Sequence, residues 1–438
     1  MATCLKALLF CYPITHREHK TNLPSLPYIF PNNQGNAEKF LRGRANSYKW
    51  ECEYGSIYRL WSGMSGEVVL TKPAHIEVVF RDSHNHTKAH ANDNGYLMEC
   101  LLGLCLGLIS GRPWSAVKST FEPPFLHKPM SRYAEDLQHF VGDYLQDLKT
   151  RNQALGREGK LHPVRDLKRL PFLFVVTVVY GPLNAELKEK LTNLLQPRED
   201  IFKALLNFKS KWAEWNDHAF HHALKNNESN NRPPIVDMYE AVHSGKITRE
   251  QLLQTLDEII FANIDVTTAE LSWTLICSKC TNKVSRHSYL TSSWTSAPTL
   301  IGACILEAAR LRPLAAFSTP QACPTPRVLD GFDVRAGTNF IIDSYALNIR
   351  DPFWRVDREK LHPERLLERH QSGRDLRYRY WRFGFDPRTC LSKYLTELIL
   401  RTIVASTVNM NWASEDELWI HSPHLFLRCQ SLAEARRS

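Results

Sequence analysis

No stretch of this 438-residue chain is apolar for long enough to cross a membrane as a helix. Its two most apolar runs are residues 5–14, interrupted by Lys6, and residues 97–109, against the ~20 residues a spanning helix needs. The second reads as a buried helix. The first reads as a surface strand, a weak interfacial segment or the remnant of an anchor. A disulfide framework is also missing. The 11 cysteines are odd in number and scattered, which fits a reducing compartment. Cys277 and Cys280 form the one Cys-x-x-Cys pair, and no second pair stands at zinc spacing. No Lys/Arg-rich block accompanies the net charge of +9. That argues against nucleic acid and leaves an acidic protein or a membrane surface as partner. No internal repeat is visible.

What is present suits a large globular core, with 43% hydrophobic and 23% charged residues. Residues 53–80 read as a β-hairpin around a Ser-Gly-Met-Ser-Gly turn, followed by a short helix opened by Pro73. Helices are expected over 131–149, 165–180 and 298–311, and one or two long amphipathic helices over 184–225. Thr248, with Gln251 three places on, is a helix-capping pattern. The helix it opens is expected to run on through Lys279 as a central spine. Small β elements are expected around 332–342 and in the tail beyond Asn409. His84, His86 and His90 lie in a stretch expected to be a solvated loop. His218, His221 and His222 suit a polar helix face. Neither group has the Cys or carboxylate partners that would complete a metal site.

The chemistry concentrates at Cys390. It follows a Phe-Gly-Phe loop (383–385), Pro387 and Arg388, and a helical run over 391–405 follows it. A lone cysteine is more often a small core residue than a ligand. A helix N-terminus nevertheless favours a thiolate. Glu307 and Arg310, at i and i+3, can pair along one helix face. Taken alone, they are an ordinary surface pair.

Together these stretches resemble the cytochrome P450 family. Phe383, Arg388 and Cys390 match its haem-ligand signature, while Asp386 and Ser392 stand where it usually has Gly. Glu307-x-x-Arg310 resembles its Glu-x-x-Arg helix. Pro363-Glu364-Arg365 resembles the segment whose arginine, Arg365, completes a buried network with the first two. Residues 261–268 resemble its oxygen-groove helix, with Asp265 as the acid. Val266 stands where the alcohol usually is, Asn263 where Gly is usual, and Thr267 comes one place late. Trp114 and Lys118 resemble its Trp-x-x-x-Arg pair, which holds a haem propionate. Arg388 is expected on the same propionates. Relatives often add an Arg or His after the Glu-x-x-Arg helix, and residues 313–321 hold none.

The resemblance implies a mostly α fold with small β-sheets and a long central helix across the haem. It implies a short lead (1–20) and one catalytic domain (21–438). Haem b would be bound through Cys390, whose thiolate favours O–O cleavage. An NADPH–cytochrome P450 reductase would supply electrons at a face bearing Lys118, Arg382, Lys393 and Arg401. The substrate would be a small hydrophobic metabolite, between walls at 97–108, 261–265 and 314–319. The setting would be intracellular, with endoplasmic reticulum association open. The finer likeness is to fungal secondary-metabolism monooxygenases, among them enzymes acting on cyclic dipeptides. Val266 keeps desaturation or oxidative coupling open as an alternative to hydroxylation. The glycine replacements keep open a non-catalytic haem-binding relative.

Overall fold

The computed structural model describes residues 13–29, 35–62, 65–88, 95–152, 160–194, 201–226, 232–277, 300–355, 357–369, 376–406 and 427–428. Val68, Val69 and Leu70, β-branched or bulky and wholly buried, favour the strand Ser65–Leu70. It pairs antiparallel with Ile57–Ser62 and parallel with Asn339–Ile342. Two-residue strands at Gln321–Ala322 and Thr87–Lys88 complete this five-stranded sheet. Helix Pro73–Phe80 follows, with Pro73 in its first turn, where a missing N–H costs nothing.

Helices make up the rest. The Thr248 cap forms as a reciprocal pair. Gln251 N–H donates to Thr248 Oγ1 (3.2 Å) and the Thr248 amide donates to Gln251 Oε1 (2.9 Å), a device worth ~1 kcal/mol. The helix it opens, Arg249–Asp257, widens into a π-helical turn at Glu258–Ala262 and resumes as Asn263–Cys277. Leu252, Leu256, Ile260, Ile264, Leu271 and Leu275 are buried along it in the largest core cluster. They place the long helix at the molecule's centre. The expected end near Lys279 lies outside the described residues, as do His90 and most of the tail.

Two expectations change. The run 97–109 is not one helix. Gly95–Leu102 stops there, and the next amides turn away to side chains of the long helix. His86 is not solvated. It is 2% exposed, its Nε2 stands 3.3 Å from Cys323 Sγ, and Phe80 lies edge-on against it. The stretch 184–225, expected as one or two helices, holds two among its described residues, Ala185–Leu194 and Ile201–Lys225. Among the described residues, no helix is long and apolar enough to cross a membrane.

Candidate functional site

The cysteine loop turns on itself because the Cys390 amide donates to Phe383 O at 2.7 Å. Gly384 supplies the positive φ (82°) that this turn needs. Asp386 opens a right-handed 3-10 turn, Asp386–Arg388, so the left-handed backbone falls on the glycine and not on the aspartate. Phe385 anchors the loop edge-on against Phe80, Tyr378 and Trp381. The following helix runs Lys393–Ser406. Cys390 therefore sits three residues ahead of it rather than at its cap. Burial pushes the thiol up, and the Ser392 hydroxyl, 3.5 Å from Sγ, opposes that rise.

Behind the loop stands the Glu307 network. Arg310 forks onto both carboxylate oxygens of Glu307 at 2.8 Å. Arg365 Nε reaches Glu307 Oε1 at 3.0 Å. Glu307 and Arg310 are both fully buried. Arg310 Nη1 also donates to the Asn348 carbonyl at 2.7 Å. The Asn348 side chain then grips the Trp381 backbone twice, at 2.7 and 2.8 Å. Asn348 therefore links the carboxylate network to the start of the cysteine loop. No local pattern in the sequence marks it.

Trp114 lies under Arg388, whose guanidinium carbon is 4.2 Å from the ring centre. Arg388 donates to Ile109 O (2.9 Å) and Ser110 Oγ (3.3 Å). No carboxylate pairs with it among the described residues, and desolvation pushes it down to about 10. Lys118 is tied to the loop by Pro387 O (3.0 Å) and to Glu122 (3.2 Å). A further cation, which the sequence reading missed, is Lys88. Its amide is held by Ser110 Oγ and its Nζ by Thr319 Oγ1 (3.1 Å), within the stretch 313–321 that lacks an Arg or His. Desolvation first, then the charge of Arg388, push Lys88 down to about 8. Two crowded cations and a half-buried thiol fit a group with an iron and pendant carboxylates.

On the long helix, Asp265 is exposed and pairs with Lys168 at 2.5 Å. Phe261, one turn earlier, packs on Phe172, Phe208 and Trp212. Thr267 is buried and lies ~200° around the helix from Asp265, so the two share no face. Glu270, one turn beyond Val266, reaches Arg382 of the cysteine loop at 2.6 Å. That contact points the Val266 face toward the loop. It also removes Arg382 from the expected basic surface, since its side chain is 6% exposed and bridges Glu270 and Glu397. Arg401 is likewise paired with Glu397.

The Cytochrome P450 family model matches residues 34–233 and 194–410. The chain belongs to the cytochrome P450 family. Similar relatives include the cytochrome P450 monooxygenases aclC of Aspergillus oryzae, 40% identical over 95% of this chain and 94% of that one, and asaD of Aspergillus flavus, 38% identical over 95% and 88%. The fold is shared with a retinoic-acid-bound cyanobacterial P450, CYP120A1 (TM-score 0.70, 14% identity, 90% of this chain and 92% of that one). It is shared too with a zebra fish P450 solved with progesterone (TM-score 0.65, 18% identity, 83% and 90%). Within this P450, the cofactor is haem iron and the activity is monooxygenation, which requires a redox partner and a substrate. The non-catalytic alternative is not favoured.

Proposed function

We propose that this P450 holds haem b at Cys390, with its carboxylates on Arg388 and Lys88 beside Trp114. We further propose that it takes electrons from an NADPH–cytochrome P450 reductase to oxidise a small hydrophobic metabolite of fungal secondary metabolism, inside the cell. The observation that carries this is Arg388, two residues before Cys390, stacked on Trp114 with no carboxylate partner among the described residues and sharing Ser110 Oγ with the Lys88 amide. Amino-acid-derived cyclic dipeptides are the candidate substrates to try first. The haem supplies dioxygen activation when bound. Cys390 gives up its proton on ligation, helped by the Ser392 hydroxyl. Lys118 fixes the Pro387 carbonyl and so steadies the loop, while Phe383 closes it through its carbonyl. Asp265, at the surface with Lys168, can pass protons from bulk water to the helix. Val266 offers no hydroxyl to relay them and Thr267 shares no face with Asp265, so water completes that route.

The test is turnover with reductase, NADPH and isotopically labelled dioxygen. The expected product gains one labelled oxygen. A product that has only lost two hydrogens would replace insertion with desaturation.

Lys88 adds a pH signature. A carboxylate laid against it raises its pKa above the haem-free value of about 8. Its contribution to haem binding is then complete below that pH and fades as pH rises through and beyond it. Loss of the Cys390 proton on ligation favours binding at higher pH in either protein, so the Lys88 contribution is read as a difference: between about pH 7 and about pH 9.5 the haem affinity of stripped wild type should fall relative to that of Lys88→Met. Equal pH slopes in both proteins would take Lys88 out of the cradle.

A further inference from the structure

Residues 103–110 cross from the end of helix Gly95–Leu102 to helix Gly111–Phe121. Three of their amides are taken in succession by side chains of the long helix. Leu104 N–H donates to Gln254 Oε1 (2.6 Å), Leu106 N–H to Thr255 Oγ1 (3.1 Å) and Gly107 N–H to Glu258 Oε2 (3.0 Å). Acceptors at positions i, i+1 and i+4 fall within ~100° of one another around a helix, so one face takes all three amides. The last of them opens the π-helical turn. The fit is tight from the other side as well. A Cβ on Gly107 would lie 2.0 Å from Glu258 Oε1. Gly107 has no positive φ, so a side chain there would displace the Glu258 carboxyl rather than strain the backbone.

The far end of the same segment carries Ile109 and Ser110. Ile109 O and Ser110 Oγ are the acceptors for Arg388, and Ser110 Oγ is also the acceptor for the Lys88 amide. One short span therefore joins the long helix to both cations of the haem cradle. The charge of Glu258 acts on both Cys390 and Lys88.

We propose that Glu258 is a positioning residue: acting from the long helix through residues 104–110, it fixes Arg388 and Lys88 where the haem carboxylates dock. This rests on the reading of Cys390 and Arg388 as haem contacts. Lengthening residue 107 and shortening residue 258 both undo the same contact.

The test is the rate of haem loss from the holoenzyme to excess apomyoglobin, in wild type and four variants. Glu258→Ala should speed loss roughly tenfold, as expected for leaving the buried Gly107 N–H without its acceptor. Glu258→Gln keeps an acceptor for Gly107 N–H and should stay within about twofold of wild type. Such a rescue is not expected if only the charge matters. Gly107→Ala should speed loss when Glu258 is intact and add little on top of Glu258→Ala, because the clash is then gone. Additive effects of that pair overturn the proposal. So does unchanged haem loss in Gly107→Ala, and that arm stands even if Glu258→Ala yields no folded protein. Wild-type protein that lacks the reduced-CO spectrum of a haem thiolate would instead sink the underlying reading of Cys390.

Discussion

Cys390→Ala should abolish the long-wavelength Soret band of the reduced, CO-treated protein while leaving its far-UV circular dichroism intact. The band requires a thiolate opposite CO, and alanine offers no donor atom. The fold should survive because little is built on the sulfur, whose closest partner is the Ser392 hydroxyl at 3.5 Å. What shapes the loop is backbone, the Cys390 amide on Phe383 O, and that bond is kept by alanine. Removing one buried atom costs ~1 kcal/mol, small beside the ~5–15 kcal/mol of a folded chain. The other buried cysteines among the described residues cannot substitute. Cys105 is 1% exposed, and burial and Glu258 push its thiol far up. Cys323 is wholly buried beside His86, its thiol pushed up to about 11. Cys304 is closed inside helix Leu300–Leu311. A band that persists in Cys390→Ala would mean that the loop does not carry the ligand.

Features visible in the sequence are those whose partners are close along the chain. The Thr248–Gln251 cap, the hairpin around residues 63–64 and the Glu307–Arg310 fork all rest on spacings of a few residues. A family pattern brought in Arg365 from farther away, and the structure sets it on Glu307. What stayed hidden depends on distant partners. Arg382 reads as a surface cation until Glu270, 112 positions away, closes on it. Lys88 carries no motif, and its setting comes from Thr319 and from Arg388 through Ser110. His86 sits in a polar stretch, yet Phe80 and Cys323 enclose it. The run 97–109 is apolar enough for one helix. It breaks because Gln254, Thr255 and Glu258 compete for its amides, and hydropathy does not register that competition. The π turn is equally silent in the sequence. It inserts a residue just before Asn263 and changes which side chains share a face.

The second large effect belongs to Glu307. Glu307→Ala leaves Arg310 fully buried with its fork unmatched, and an uncompensated buried charge costs ~3–5 kcal/mol. That is a large share of a folded chain's margin, so the urea midpoint should fall sharply. The damage should also reach the haem site. Arg310 holds the carbonyls of Asn348 and Arg358 at 2.7 Å and stacks over Trp354 at 4.9 Å. Asn348 in turn holds Trp381. A displaced Arg310 loosens the segment that leads into Cys390, so the fraction of protein isolated with haem should drop with stability. Arg310→Lys should be nearly as harmful, because an ammonium cannot bind both oxygens and two carbonyls in one plane. Arg365→Ala should be milder. Arg365 keeps 12% of its side chain exposed, and the Arg310 fork still neutralises Glu307 when it is gone. The expected order of loss is Glu307→Ala, then Arg310→Lys, then Arg365→Ala, read by urea unfolding and by haem content per chain. If Arg365→Ala proved as damaging as Glu307→Ala, the fork would not be the member that sets the loop, and the link through Asn348 would fail with it.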